Sequence, residues 1–129
     1  MEKTFAVAKE LKVGKYVLID DVPCRVVNIE SSAPGKHGAA KMRITAMGIF
    51  NRQKKTLLKP SDADIEIPII ERKAGQVMSV NGNMAQLMNS VTYEMLEMEI
   101  PEELSGSVQP GKEIEYMESM NKRMMTRVR

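Results

Sequence analysis

Ala40-Lys41-Met42-Arg43-Ile44-Thr45-Ala46 places apolar side chains at every second position and polar ones between them. Successive side chains of a strand point to opposite faces. This pattern therefore puts Ala40, Met42, Ile44 and Ala46 on one side and Lys41, Arg43 and Thr45 on the other. A helix would spread both sets around its circumference. The stretch predicts a strand with one buried face and one basic, solvated face.

The same period returns on both sides of it. Ile65, Ile67 and Ile69 alternate with Asp64, Glu66 and Pro68; Leu96, Met98 and Ile100 alternate with Glu97 and Glu99; Ile114 and Tyr116 alternate with Glu113 and Glu115. Turn signals separate these runs at Val13-Gly14-Lys15, Asp20-Asp21, Pro34-Gly35, Asn81-Gly82-Asn83 and Pro110-Gly111. Short strands at this spacing predict small barrels or sandwiches, so the fold class is all-β. Pro101-Glu102-Glu103-Leu104 predicts one short helical turn, ended by Gly106. Asn83 to Ser90 reads equally as a strand or a short helix.

The chain has 129 residues, of which 43% are apolar and 28% charged, the balance of a globular protein with a core. No run approaches the roughly 18 apolar residues of a membrane helix. The opening Met1-Glu2-Lys3-Thr4-Phe5 lacks the apolar stretch of a signal peptide, so a cytoplasmic protein with no membrane partner is expected. Cys24 is the only cysteine, which excludes an internal disulfide and a thiolate zinc site. Set in Val22-Pro23-Cys24-Arg25-Val26-Val27, it reads as a small buried hydrophobe. His37 is the only histidine, so no multi-histidine metal site exists and no metal is expected.

The net charge of +2 conceals a division. Residues 1–70 carry 12 Lys/Arg against 8 Asp/Glu, and residues 71–129 carry 7 against 9. Between 25 and 59 the only acid is Glu30, whereas 91–118 holds eight glutamates against Lys112. A basic, polyanion-facing front half is expected, with a rear half that is not itself a nucleic-acid grip. Composition changes near Ile70 to Ala74 as well, since nine of the 12 methionines follow it. The expected domains are 1–70 and 71–129, with those methionines filling the second core.

The stretch Ser31-Ser32-Ala33-Pro34-Gly35-Lys36-His37-Gly38-Ala39-Ala40-Lys41 joins a strand ending near Glu30 to the one beginning near Ala40. Pro34 fixes φ, while Gly35 and Gly38 open turns closed to other residues. A thin hairpin end with Lys36 and His37 projecting from it is expected. A phosphate-cradling loop would need glycine where Glu30 stands and Ser or Thr where His37 stands, so that reading fails. A lysine nucleophile needs desolvation or a neighbouring cation to lower its pKa, which an exposed loop does not supply. On the residues alone, an ordinary turn with an exposed lysine remains the simpler reading.

Pro34-Gly35-Lys36-His37-Gly38-Ala39-Ala40-Lys41 resembles the hypusine loop of translation initiation factor 5A of the archaeal type, a family related more distantly to bacterial elongation factor P. The likeness continues in Gly14-Lys15, Pro23-Cys24-Arg25-Val26-Val27, Pro68 and the closing Thr126-Arg127-Val128-Arg129. Ala33 and Ala39 stand where eukaryotic members carry lysine and histidine, as fits an archaeal-type chain. The resemblance implies an N-terminal SH3-like barrel followed by a C-terminal OB-fold barrel. It implies that deoxyhypusine synthase moves an aminobutyl group from spermidine to Lys36, giving deoxyhypusine or, after hydroxylation, hypusine. Pro34, Gly35, His37 and Gly38 then shape the loop and present it to that enzyme. The implied partners are the ribosome and the peptidyl-tRNA, and the implied role is to promote peptide-bond formation where the ribosome stalls, notably at consecutive prolines. The ribosome does the chemistry, so no enzyme activity and no dissociable cofactor are implied.

Lys41 matches a basic position of that motif and is expected to contact RNA or support the loop. Charge placement adds Arg43, Arg52, Lys54 and Lys55 as RNA-binding candidates. The rival is a general RNA-binding module with no modification-dependent role. Single-strand binders stack bases on aromatics, and this chain has only Phe5, Tyr16, Phe50, Tyr93 and Tyr116.

Overall fold

The computed structural model describes residues 2–32 and 40–129. It is all-β and divides into two compact units, Met1–Ile69 and Ile70–Arg129. In the first unit, β1 (Lys3–Val7) pairs with β6 (Asp64–Pro68). β2 (Tyr16–Ile19), β3 (Val22–Ser32), β4 (Lys41–Gly48) and β5 (Lys54–Pro60) form an antiparallel sheet in chain order. β4 alternates strictly between exposed and buried from Lys41 to Ile44, as its pattern predicts.

Local chemistry sets the turns. β2 and β3 join through Asp20 and Asp21, both at positive φ (53° and 61°), the backbone a two-residue hairpin needs for its twist to match the strands. Aspartate tolerates that region better than most residues. Val27 interrupts the β3–β4 register as a bulge, which bends these long strands. The core beneath holds Val17, Ile19, Cys24, Val26, Ile44 and Ile65. Ile44 and Cys24 are fully buried, and burying an Ile side chain stabilises by about 1.5–3 kcal/mol.

The second unit is one five-stranded sheet. β7 (Glu71–Asn81), β8 (Met84–Asn89), β9 (Met95–Glu99), β10 (Glu113–Ser119) and β11 (Lys122–Val128) lie in the order β11-β10-β7-β8-β9. β11 also approaches β9, so the sheet curls towards closure in the OB-fold arrangement. The stretch 83–90 resolves as strand β8, because pairing with both β7 and β9 satisfies its backbone on both edges. The helical turn expected near Pro101 is a single 3-10 turn, Glu102–Leu104.

This unit packs its own core from Val77, Leu87, Leu96, Ile114, Tyr116 and Met125. Asn89, buried within it, donates from Nδ2 to the Tyr116 hydroxyl at 2.7 Å and accepts from the backbone N–H groups of Val91 and Thr92. The methionines divide. Met98, Met117 and Met125 are buried as expected, but Met78, Met84 and Met95 remain exposed.

Candidate functional site

The candidate site begins at the end of the β3–β4 hairpin. Pairing runs from Cys24 and Gly48 to Ser32 and Lys41, where the Ser32 hydroxyl also donates to the Lys41 carbonyl at 3.4 Å. The chain thus leaves the sheet at Ser32 and re-enters at Lys41, its two ends held side by side by the ladder. Pro34, Gly35, Lys36, His37 and Gly38 lie outside the described residues, as does the Pro34-Gly35 turn expectation.

Register decides which cations act together. Residues directly opposite in neighbouring strands point to the same face. Met42, Ile44 and Ala46 turn into the core, so their alternates face outward. This outer face carries four cross-strand rows: Ser32, Lys41 and Pro60; Glu30, Arg43 and Leu58; Asn28, Thr45 and Thr56; and Arg25, Met47 and Lys54. Lys41 and Arg43 lie two residues apart, roughly 7 Å along the strand. Lys41, Arg43, Lys54 and Arg25 are all exposed, so four cations share one solvated surface.

The five sequence-derived RNA candidates are therefore not equivalent. Lys41, Arg43 and Lys54 share the outer face. Lys55 is paired opposite Ala46, on the core side of the edge strand, with its Nζ 3.7 Å from an Asp20 carboxylate oxygen. Arg52 sits in the β4–β5 turn at a φ of 55°, its backbone N–H bonded to the Gly48 carbonyl. Arg25, outside those five, joins the same face. In Cys24-Arg25-Val26 it is the outward member of an alternating triplet, which assigns it to this face without further information.

The rear acidity is rearranged in space. β10 lies between β7 and β11, and its carboxylates meet their cations: Lys73 and Arg123 hold Glu118, Arg127 and Arg129 hold Glu115, and Arg129 holds Glu113. Lys73 above all, with Arg123, keeps the Glu118 carboxyl below the usual carboxylate range, and Glu115 and Glu113 raise Arg129. Cys24 is fully buried, and burial pushes its thiol up. Among the described residues, no group of three or more His, Cys, Asp or Glu could hold a metal ion, and no helix is long and apolar enough to cross a membrane.

A family model described as translation initiation factor 5A-like, N-terminal, matches residues 3–63. Translation initiation factor 5A of Methanocella arvoryzae is 52% identical over 114 residues, covering 88% of this chain and 89% of that protein. The Archaeoglobus fulgidus protein of the same name is 51% identical over 120 residues, covering 93% and 94%. A solved structure of eukaryotic translation initiation factor 5A from Methanococcus jannaschii matches with a TM-score of 0.92 at 44% identity, covering 99% of this chain and 98% of that one. A Naegleria fowleri protein of the same family shares the fold, with a TM-score of 0.78 at 22% identity. Identity of this level over nearly the full length, with the same pair of β units, places the chain in the translation initiation factor 5A family, among translation factors.

Proposed function

We propose that this chain binds the ribosome beside the peptidyl-tRNA and promotes peptide-bond formation at stalled sequences such as consecutive prolines, through Lys36 carrying deoxyhypusine or hypusine. The observation that carries this reading is the register that closes Ser32 on Lys41. It anchors the segment containing Lys36 to two long strands, and the outer face of those strands displays Lys41 and Arg43.

The chemistry is that of positioning. Extension by an aminobutyl group from spermidine roughly doubles the side chain's reach and adds a second amine. Amines spaced by methylenes bind phosphates as mobile point charges, free of the planar geometry that arginine requires. A long cation held against the acceptor end of a tRNA restricts a poorly placed reactant, and such ordering removes several kcal/mol of barrier without reacting itself. The outer cations add sequence-independent attraction to an RNA backbone. Deoxyhypusine synthase is the partner that this reading requires for the modification.

Two measurements test it. Intact protein from its native cell is expected to be heavier than its sequence mass by an aminobutyl group mapped to Lys36; bare Lys36 in that material, with the synthase present, refutes the modification. In reconstituted translation of a proline-rich message, Lys36→Arg should abolish the stimulation while leaving binding to free RNA nearly unchanged. Equal loss of both favours a general RNA-binding module.

A further inference from the structure

The outer face of β8 and β9 is a second surface, opposite in character to the basic one. Its register sets Met88 against Met95, Gln86 against Glu97, and Met84 against Glu99. The alternating residues Ala85, Leu87, Leu96 and Met98 turn into the core, so these six side chains point outward together. Met84 is 39% exposed and Met95 45% exposed; Met78, the bulge residue of neighbouring β7, is 44% exposed. Three exposed methionines around one sheet face are not core filling.

The carboxylates here differ from those of β10. Glu71, Glu113, Glu115 and Glu118 each have a cation within ion-pair distance. Among the described residues, Glu97 and Glu99 have none, and neither do Glu94 and Glu102 nearby in sequence. Beside Glu99 lies a concavity of about 510 Å³ whose walls include Val80, Ile100, Val108 and Glu102, and no lysine or arginine. The chain thus neutralises its carboxylates on one part of this sheet and leaves them open where apolar side chains are also exposed.

Unpaired carboxylates repel phosphate and attract cations, so the complementary partner is positively charged and is not RNA. Methionine supplies flexible, polarizable contact area that adapts to differing apolar side chains. We propose that this face docks a lysine- or arginine-rich protein segment bearing apolar side chains. Met84, Met88 and Met95 receive the apolar groups, and Glu97 and Glu99 the cations. Docking on this face does not depend on Lys36 or its modification.

The test uses the full chain with its methionine methyl groups carbon-13 labelled, titrated with a synthetic peptide of alternating lysine and leucine. The methyl signals of Met84, Met88 and Met95 should shift saturably while that of buried Met42 stays fixed. A glutamate–leucine peptide and a short uridine RNA should leave all of them in place. The double variant Glu97→Gln, Glu99→Gln should weaken the lysine peptide about fivefold, the sum of two solvent-exposed charge pairs. Glu71→Gln, in the paired row, should leave its affinity unchanged. Shifts induced by the RNA overturn the proposal, as does an affinity indifferent to the Glu97 and Glu99 changes. Concentration-dependent broadening of the same methyls without peptide would assign the face to a second copy of the chain and overturn it too.

Discussion

Arg43 stands directly across the β3–β4 ladder from Glu30, the only acid between residues 25 and 59. Directly opposed side chains lie with their Cβ atoms about 5 Å apart. Glu30 accepts a hydrogen bond from Asn28 Nδ2 at 3.3 Å and is not in ion-pair contact with Arg43, but its carboxylate sits on the face of the four outer cations and weakens their pull on phosphate.

Removing that charge should strengthen RNA binding. Glu30→Gln is expected to raise affinity for a structured RNA about two- to fivefold at low salt, as expected for removing one exposed carboxylate from a cationic face. The gain should shrink as salt is raised, because the interaction is exposed and screened. Affinity measured by fluorescence anisotropy at two salt concentrations checks it, and an unchanged or reduced value contradicts the assignment of this face to RNA.

Neighbours on β5 should behave differently. Lys54 lies in the outer row and Lys55 on the opposite face, near Asp20. Lys54→Gln should reduce the salt slope of RNA binding by about 1, the mark of one lost phosphate contact. Lys55→Gln should leave the slope unchanged and alter stability by no more than about 1 kcal/mol. Equal slopes for the two variants would mean that strand register does not govern the contact.

The Asn89–Tyr116 pair should be worth more than either residue's bulk. Tyr116→Phe leaves the buried Asn89 amide without its 2.7 Å partner and should cost about 1–3 kcal/mol. Asn89→Ala removes that bond together with the acceptor for Val91 N–H and Thr92 N–H, and should cost more. Denaturant melts of the two single variants and the double variant should show strong non-additivity, since the residues share one interaction.

Cys24 should be chemically silent while the protein is folded. It is fully buried, its Sγ contacts the Val22 carbonyl at 3.2 Å, and burial raises its pKa above the ordinary value of 9.0. Reaction requires the thiolate and access, so alkylation at pH 8 should proceed only as fast as the molecule opens. The unfolded thiol ionises at a lower pH than the folded one. Its contribution to stability is therefore complete below about 9 and declines as pH rises through the folded value. Rapid stoichiometric labelling of native protein would contradict this.

Acid should act through Glu118. Lys73 Nζ donates to it at 2.8 Å, and the carboxyl pKa is lowered from 4.5 by that bond first and by Arg123 next. Stability from this group is present above about 4.5 and lost as pH falls through the lower folded value. Glu118→Gln should therefore cost about 1–2 kcal/mol at pH 7, with a shallower loss of stability on acidification. Thermal melts from pH 7 to pH 3 compare the two proteins.

The strands, their buried sides and most of the turns follow from short stretches of residues alone. Alternation of the Met42-Arg43-Ile44 kind is a local property, fixed by the two-residue period of an extended chain. Gly14, Asp20-Asp21 and Gly82 punctuate the strands because few other residues tolerate their backbone angles. The Gly35-Lys36-His37-Gly38 motif is contiguous, so it too is read from the sequence without the fold. Which residues meet across strands depends instead on the folded arrangement. Lys54 and Lys55 parted, Arg25 joined Arg43, and the glutamates of β10 found cations that lie as far away in sequence as Lys73 and Arg129. Those outcomes depend on register between distant segments, and the free energy that fixes register comes from burying a whole face at once, which no single stretch of residues contains.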